Sequence, residues 1–150
     1  MRSRKSTQRV LLDTSFILPT LGISTGKRIQ KGLQKLKEIN PETFISRFSI
    51  LEALWVAIRL IKRGTFDAST FSQGLRSLLL GRRYKIVEED HRIFEAALQL
   101  YQMGHPDMID NILYATSLTR NLNLLTVDDQ LRTFIREKRL SDTTIAPEEL

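Results

Sequence analysis

The sequence predicts an α/β fold: a three-layer α/β/α sandwich around a five-stranded parallel sheet. Short apolar runs bounded by turn residues alternate with longer stretches in which apolar residues recur at helical spacing. That alternation implies right-handed crossovers and a parallel sheet covered on both faces. The run Leu124–Thr126 is short and apolar, as a buried parallel strand tends to be. In addition, strand-like segments lead into Asp13 and Asp128, and open α/β sheets bind ligands at such carboxyl ends.

Along the chain, Met1–Gln8 carries Arg2, Arg4 and Lys5 without an apolar anchor and reads as a mobile basic arm. Val10–Asp13 is the first strand. Thr14–Ser24 is a loop or broken helix, interrupted by Pro19 and Gly22. Lys27–Ile39 is helical, with Ile29, Leu33, Leu36 and Ile39 on one face, and Asn40–Pro41 stops it. Thr43–Ile45 is the second strand. Phe48–Arg63 is a long helix ended by Gly64. Asp67–Leu80 is another, with Phe71, Leu75, Leu78 and Leu79 inward. Tyr84–Val87 is the third strand, and Asp90–Met103 a helix turning Ile93, Ala97 and Leu100 inward. The next helix opens at Pro106, where a missing N–H costs nothing. It turns at Asn121–Asn123 into the strand Leu124–Thr126, then a helix to about Lys138. Thr143–Ala146 supplies an edge strand. There is no internal repeat, low-complexity tract or linker, so residues 1–150 read as one domain.

Hydrophobic content of 41% and charge of 27% fit a soluble globular protein. The absence of cysteine excludes a disulfide scaffold and thiolate metal sites, and fits a reducing cytoplasm. The apolar run Val10–Leu12 is far too short for a signal peptide, and Ile50–Ile61, broken by Glu52 and Arg59, cannot span a membrane. The net charge of +6 is uneven. Residues 1–85 hold 17 Lys and Arg against 5 Asp and Glu, a balance of +12; residues 86–150 hold 6 against 12, a balance of −6. Such a division suits a polyanion-binding surface beside an acidic pocket, although two ordinary solvated faces also produce it. Arg2, Arg4, Lys5, Lys27, Arg28 and Lys31 are the candidate RNA-phosphate contacts.

The candidate site consists of Asp13, Glu52, Asp110 and Asp128. Each has a structural explanation. Asp13 and Asp128 suit N-caps, and Asp107 and Asp129 suit the first turn of a helix. Glu52 follows Ser49 at capping-box spacing. Asp110, one turn into its helix and away from Ile109, Ile112 and Leu113, is harder to explain so. Glu52 also lies in a largely apolar helix, where a carboxylate needs a partner. Four carboxylates on one rim repel one another unless a cation sits among them. His91 and His105 are not at ligand spacing, so the donors are oxygens, which suit Mg²⁺ or Mn²⁺. Such an ion polarises a phosphoryl oxygen and generates hydroxide near neutral pH. An acidic metal cup beside a basic surface therefore points to phosphodiester hydrolysis.

The ordered set LLDTSFILP, Glu52 in a helix, DNILYATS and LLTVDD resembles the PIN domain family of metal-dependent ribonucleases over nearly the whole chain. The resemblance implies an Mg²⁺- or Mn²⁺-dependent endoribonuclease with Asp13, Glu52, Asp110 and Asp128 as its acidic site. It makes Thr14 and Thr126 supporting hydroxyls and leaves Asp107 to reach the metal through water. By size the chain is most similar to VapC-type toxins and stand-alone archaeal PIN proteins; as a toxin, it would have an antitoxin protein as partner. A catalytically silent PIN-like RNA-binding scaffold is the rival reading, and the four retained acids count against it.

A receiver domain would need Asp after the third strand and Lys after the fifth, where Glu88 and Pro147 stand. Gly22–Lys27 imitates a phosphate loop but is one residue short and has Arg28 where Ser or Thr belongs. Phe48 and Trp55 are expected in the core rather than as base-stacking platforms. The helices Phe48–Arg63 and Asp67–Leu80 offer more apolar surface than one sheet face covers, including Leu51, Leu54, Trp55 and Ile58, which predicts a homodimer.

Overall fold

Alternation along the first strand decides the layering. Successive side chains of a strand point to opposite faces, and Val10 and Leu12 enter one core cluster while Leu11 enters the other. The computed structural model describes residues 8–150. The expected basic arm, with Arg2, Arg4 and Lys5, lies outside the described residues apart from Gln8.

The strands are β1 (Arg9–Leu12), β2 (Glu42–Ile45), β3 (Lys85–Ile86), β4 (Asn123–Leu125) and β5 (Thr144–Ile145). They form one five-stranded sheet in the order β3-β2-β1-β4-β5, every pair parallel. Six α-helices join them: α1 (Lys27–Ile39), α2 (Arg47–Arg63), α3 (Ala68–Leu80), α4 (His91–Gln102), α5 (Met108–Arg120) and α6 (Asp129–Glu137). Short 3-10 turns occupy Thr14–Phe16, Pro19–Leu21 and Pro147–Glu149.

One face of the sheet packs Val10, Leu12, Ile45 and Leu125 against Phe16, Ile17 and Leu21, with Ile29 of α1, Ala53 and Ala57 of α2 and Phe71 and Leu78 of α3. The other packs Leu11 and Leu124 against α4, α5 and α6. The expected three-layer α/β/α sandwich is the observed fold. The chain builds outward from β1 through β2 to β3, then returns to place β4 on the other side of β1. A crevice opens at such a reversal, beyond the carboxyl ends of the two strands.

Several boundaries differ from expectation for a common reason: a polar side chain takes the capping position. Ser46 caps α2, Asp67 caps α3, Asp90 caps α4 and Asp107 caps α5. Pro106 therefore precedes the cap, and α5 begins at Met108 rather than at the proline. The fourth strand is Asn123–Leu125, with Thr126 just beyond it. Helix α5 is buried on nearly every face from Ile109 to Ser117. It is the central helix of its layer, so Asp110 is not on a solvent side.

Candidate functional site

The ends of β1 and β4 set the floor of the site. The Asp13 N–H donates to the Leu125 carbonyl at 3.0 Å, continuing the ladder one residue past the strand. Asp13 Oδ1 accepts from the Thr14 N–H at 2.7 Å, and Oδ2 accepts from the Thr126 hydroxyl at 2.7 Å. The Thr126 oxygen in turn accepts from the Asp128 N–H at 3.0 Å. One buried threonine thus ties the two loops together and fixes the Asp13 carboxylate. Asp128 caps α6, its Oδ1 accepting from the N–H groups of Gln130 and Leu131. Asp13 caps the Thr14–Phe16 turn. Both expected caps are real, and one carboxylate can cap and still present an oxygen outward.

The helices supply the other acids. Asp107 Oδ1 accepts from the Asp110 N–H at 3.1 Å, which makes Asp107 the cap and Asp110 the third residue of α5, inside the first turn rather than past it. Behind them, buried His105 and Asn111 lock the loop: His105 Nδ1 lies 2.7 Å from Asn111 Oδ1, and Asn111 Nδ2 donates to the His105 carbonyl at 2.9 Å. The capping-box reading of Glu52 is overturned. Ser46, not Ser49, caps α2, its hydroxyl accepting from the Phe48 N–H. Ser49 lies within the helix with its Oγ buried and unpartnered, and Glu52 follows in the second turn.

A cleft of about 410 Å³ gathers these groups. Asp13, Thr14, Glu52, Asp107, Asp110 and Asp128 all line it, so the sequence-derived acids meet in one place. Asp107, Asp110 and Asp128 also border a second hollow on the α6 side, of about 420 Å³. Of the basic candidates among the described residues, Lys27, Arg28 and Lys31 do not line the cleft. Lys31 flanks a separate hollow with Pro147 and Leu150, and Arg28 pairs with both carboxylate oxygens of Glu148 at 2.9 Å.

Sequence reasoning missed Trp55 and Arg59 among the lining residues. Trp55, expected in the core, is 47% exposed and lines the cleft, as does Arg59. Their signal was present: Glu52, Trp55, Val56 and Arg59 share one face of a helix by spacing. Phe48 does belong to the core edge, half-buried with its ring 5.6 Å from Phe94.

Crowding perturbs the carboxylates in opposite directions. Burial pushes Asp13 up to about 6, against the hydrogen bonds from Thr126 and Thr14 and with the help of the Glu52 and Asp128 charges. Burial pushes Asp110 further, to about 10, reinforced by a hydrogen bond to Asp128 and by the neighbouring Asp13 and Asp107 charges. Burial also raises Asp128, but the same hydrogen bond and the Leu131 and Gln130 N–H groups outweigh it and leave Asp128 below the usual carboxylate range. The protonated form of Asp110 is thus favoured beside an ionised Asp128, since two like charges so close resist ionising together. Glu52 is raised chiefly by burial, with Thr14 and Arg59 opposing and Asp107 and Asp128 assisting.

Among the described residues, no group of three or more His, Asp or Glu side chains converges closely enough to hold a metal ion as it stands. The donor set nevertheless fits a hard divalent cation. Mg²⁺ keeps several waters and needs only one or two carboxylates directly. Asp110 and Asp128 offer that pair, and a cation between them would relieve the repulsion that favours a protonated Asp110. The Thr14 hydroxyl is buried at the same cleft without a full hydrogen bond, close enough to Glu52 to favour its ionised form.

No curated protein matches the chain in sequence. Solved structures do resemble it in fold. A toxin–antitoxin complex from Klebsiella pneumoniae contains a chain 20% identical, with a TM-score of 0.59 over 94% of this chain and 99% of that one. PAE2754 from Pyrobaculum aerophilum is 17% identical, with a TM-score of 0.64 over 95% and 92%. VapBC-1 from nontypeable Haemophilus influenzae is 18% identical, with a TM-score of 0.58 over 91% and 98%. The family model of the PIN domain matches residues 10–136, a span that runs from β1 through α6 and includes every carboxylate of the cleft. The chain belongs to the PIN domain family.

Proposed function

We propose that the protein is an Mg²⁺- or Mn²⁺-dependent endoribonuclease that acts in the cytoplasm as the toxin of a toxin–antitoxin pair, residues 1–150 working as one domain. The observation that carries the reading is the cleft at the topological reversal, where Asp13, Glu52, Asp110 and Asp128 meet. Asp13, Asp110 and Asp128 would hold the cation, with Glu52 and Asp107 reaching it directly or through water. When bound, the ion supplies Lewis-acid activation of the scissile phosphate and of the attacking water. Thr126 keeps Asp13 aimed into the cleft. The α6 N–H groups keep Asp128 ionised. Glu52, half-buried and raised in basicity, accepts a proton from the water whose oxygen bonds to phosphorus as the P–O3′ bond breaks, and the departing O3′ takes up a proton from solvent. The toxin reading, with an antitoxin protein as partner, draws support from the VapBC and toxin–antitoxin complexes that share the fold. Among the described residues no helix is long and apolar enough to cross a membrane.

Purified protein is expected to cut single-stranded RNA with Mg²⁺ or Mn²⁺ and to lose the activity on adding EDTA. Cleavage that persists in EDTA would reject the reading.

The basic half gives a second expectation. Exposed Lys27 and Lys31 on α1, together with Arg2, Arg4 and Lys5, are proposed to contact phosphates. Each such contact adds about 0.7 to the slope of log affinity against log salt for a single strand. Neutralising the five residues should flatten that slope. Arg28→Gln should flatten it little, because Glu148 already occupies the guanidinium. An unchanged slope in the five-fold variant would count against this surface.

The homodimer expectation narrows to one helix. Phe71 and Leu78 of α3 are buried in the monomer's own core, whereas Leu51, Leu54, Ile58 and Ile61 of α2 stay 39–57% exposed. A second copy is proposed to cover that stripe. Light scattering at micromolar concentration should report a dimer that Leu54→Glu converts to a monomer. A monomeric wild type would refute it.

A further inference from the structure

An exposed indole is unusual at the mouth of an acidic cleft, because Trp is among the residues most favoured for burial and stacking. Helix α2 presents Glu52, Trp55, Val56 and Arg59 along the cleft, a stripe extending about 10 Å at 1.5 Å rise per residue. Glu52 stands at one end. The other end holds an aromatic face followed, one turn on, by Arg59, which is the cationic residue of the lining. Trp55 does not complete the core beneath it: Ala53 and Ala57 face inward and are buried, while Trp55 is about half exposed. An aromatic plane and a guanidinium side by side match the two repeating parts of a nucleotide, a base with a π-face and a phosphate.

We propose that Trp55 and Arg59 form a nucleotide clamp, the indole stacking on an unpaired base next to the scissile phosphate and Arg59 holding the adjoining phosphate. The clamp makes single-stranded RNA the substrate class, since a paired base cannot expose its face to the indole. It tolerates any base, because each has a π-face, so Trp55 supplies grip rather than sequence choice. The inference rests on the nuclease reading for what the cleft acts upon, but its test measures binding alone.

Trp55 is the chain's single tryptophan, so intrinsic fluorescence reports on this position without labelling. The Asp110→Asn protein is titrated with a short oligouridylate and with an abasic ribose-phosphate oligomer of equal length. The expected result is strong quenching by the first and little by the second. Anisotropy of labelled RNA on the same background then compares variants. Trp55→Ala should weaken binding roughly ten- to a hundredfold without changing its salt slope, and Trp55→Phe should recover most of the loss. Arg59→Met should lower the salt slope by about 0.7. Equal quenching by the abasic oligomer, or unchanged affinity in Trp55→Ala, overturns the clamp. So does a Trp55→Ala protein that turns from dimer to monomer at unchanged RNA affinity, which assigns the indole to a protein interface. Base-dependent quenching without any RNA cleavage by the wild type would instead reject the nuclease reading and leave the clamp standing.

Discussion

The expected result for Asp110→Asn is a protein that no longer cleaves RNA yet melts at a higher temperature than wild type in metal-free buffer at pH 8. Asp110 is buried, and its folded pKa lies far above the unfolded value of 3.8. The folded state then binds more protons than the unfolded state, and stability falls as pH rises between those values. Asp13 contributes the same sign, but its fall is complete once pH passes about 6. Carboxylates whose pKa is lowered on folding, Asp90, Asp67, Glu42, Glu148 and Asp128, act below about pH 5, with the opposite sign. Above about pH 6 Asp110 is therefore the main contributor, and Glu52, also raised by burial, adds the same sign in wild type and variant alike. Wild type should lose up to about 1.4 kcal/mol per pH unit there from Asp110. Asn keeps the shape and cannot ionise, so the variant's stability should be much flatter across this range. Mn²⁺ should stabilise wild type at pH 8 by replacing the Asp110 proton and should do little for the variant. Thermal melting from pH 6 to 9, with and without Mn²⁺, checks this, and parallel pH profiles for the two proteins would defeat it. Cleavage should drop more than ~100-fold, beyond what supporting partners of a metal typically cost.

Glu52→Gln should separate proton transfer from scaffolding. Glu52 neither caps α2 nor completes the core, and it is half-buried beside Thr14 at the cleft. Gln preserves volume and hydrogen bonding but cannot take a proton from water. Metal-free stability is therefore expected to be unchanged or slightly improved, since one repelling charge has gone. Turnover should fall by roughly 100-fold or more, the upper range for removing a general base. RNA affinity should survive, because Trp55 and Arg59 remain. Full activity in Glu52→Gln, measured under single-turnover conditions, would remove Glu52 from the site and leave three acids.

The division between what was legible in the sequence and what was not follows the range of the interactions. Strand and helix existence depends on apolar periodicity and local turn chemistry, so the five strands, their parallel pairing and a sheet covered on both faces could be read from runs such as Arg9–Leu12 and Asn123–Leu125, whereas the strand order could not. Asp13 and Asp128 were legible for the same reason: a carboxylate just after a parallel strand is brought to the rim by the topology alone, while Glu52 and Asp110 stood out only as charges in apolar helices. Caps were less so, because Ser46 and Ser49, or Pro106 and Asp107, compete locally and packing decides between them. Long-range contacts were not legible at all. Thr126 meets Asp13 across more than a hundred residues, and Arg28 is taken by Glu148 only because the C-terminal turn folds back on α1. Trp55 shows the limit most clearly. Its sequence neighbours are apolar and place it in a core helix, yet the side of α2 that meets the sheet is occupied by Ala53 and Ala57, whose small side chains let the helix pack closely. Helical spacing puts the indole on the face of Glu52, but only that packing decides that this face turns outward onto the acidic cleft.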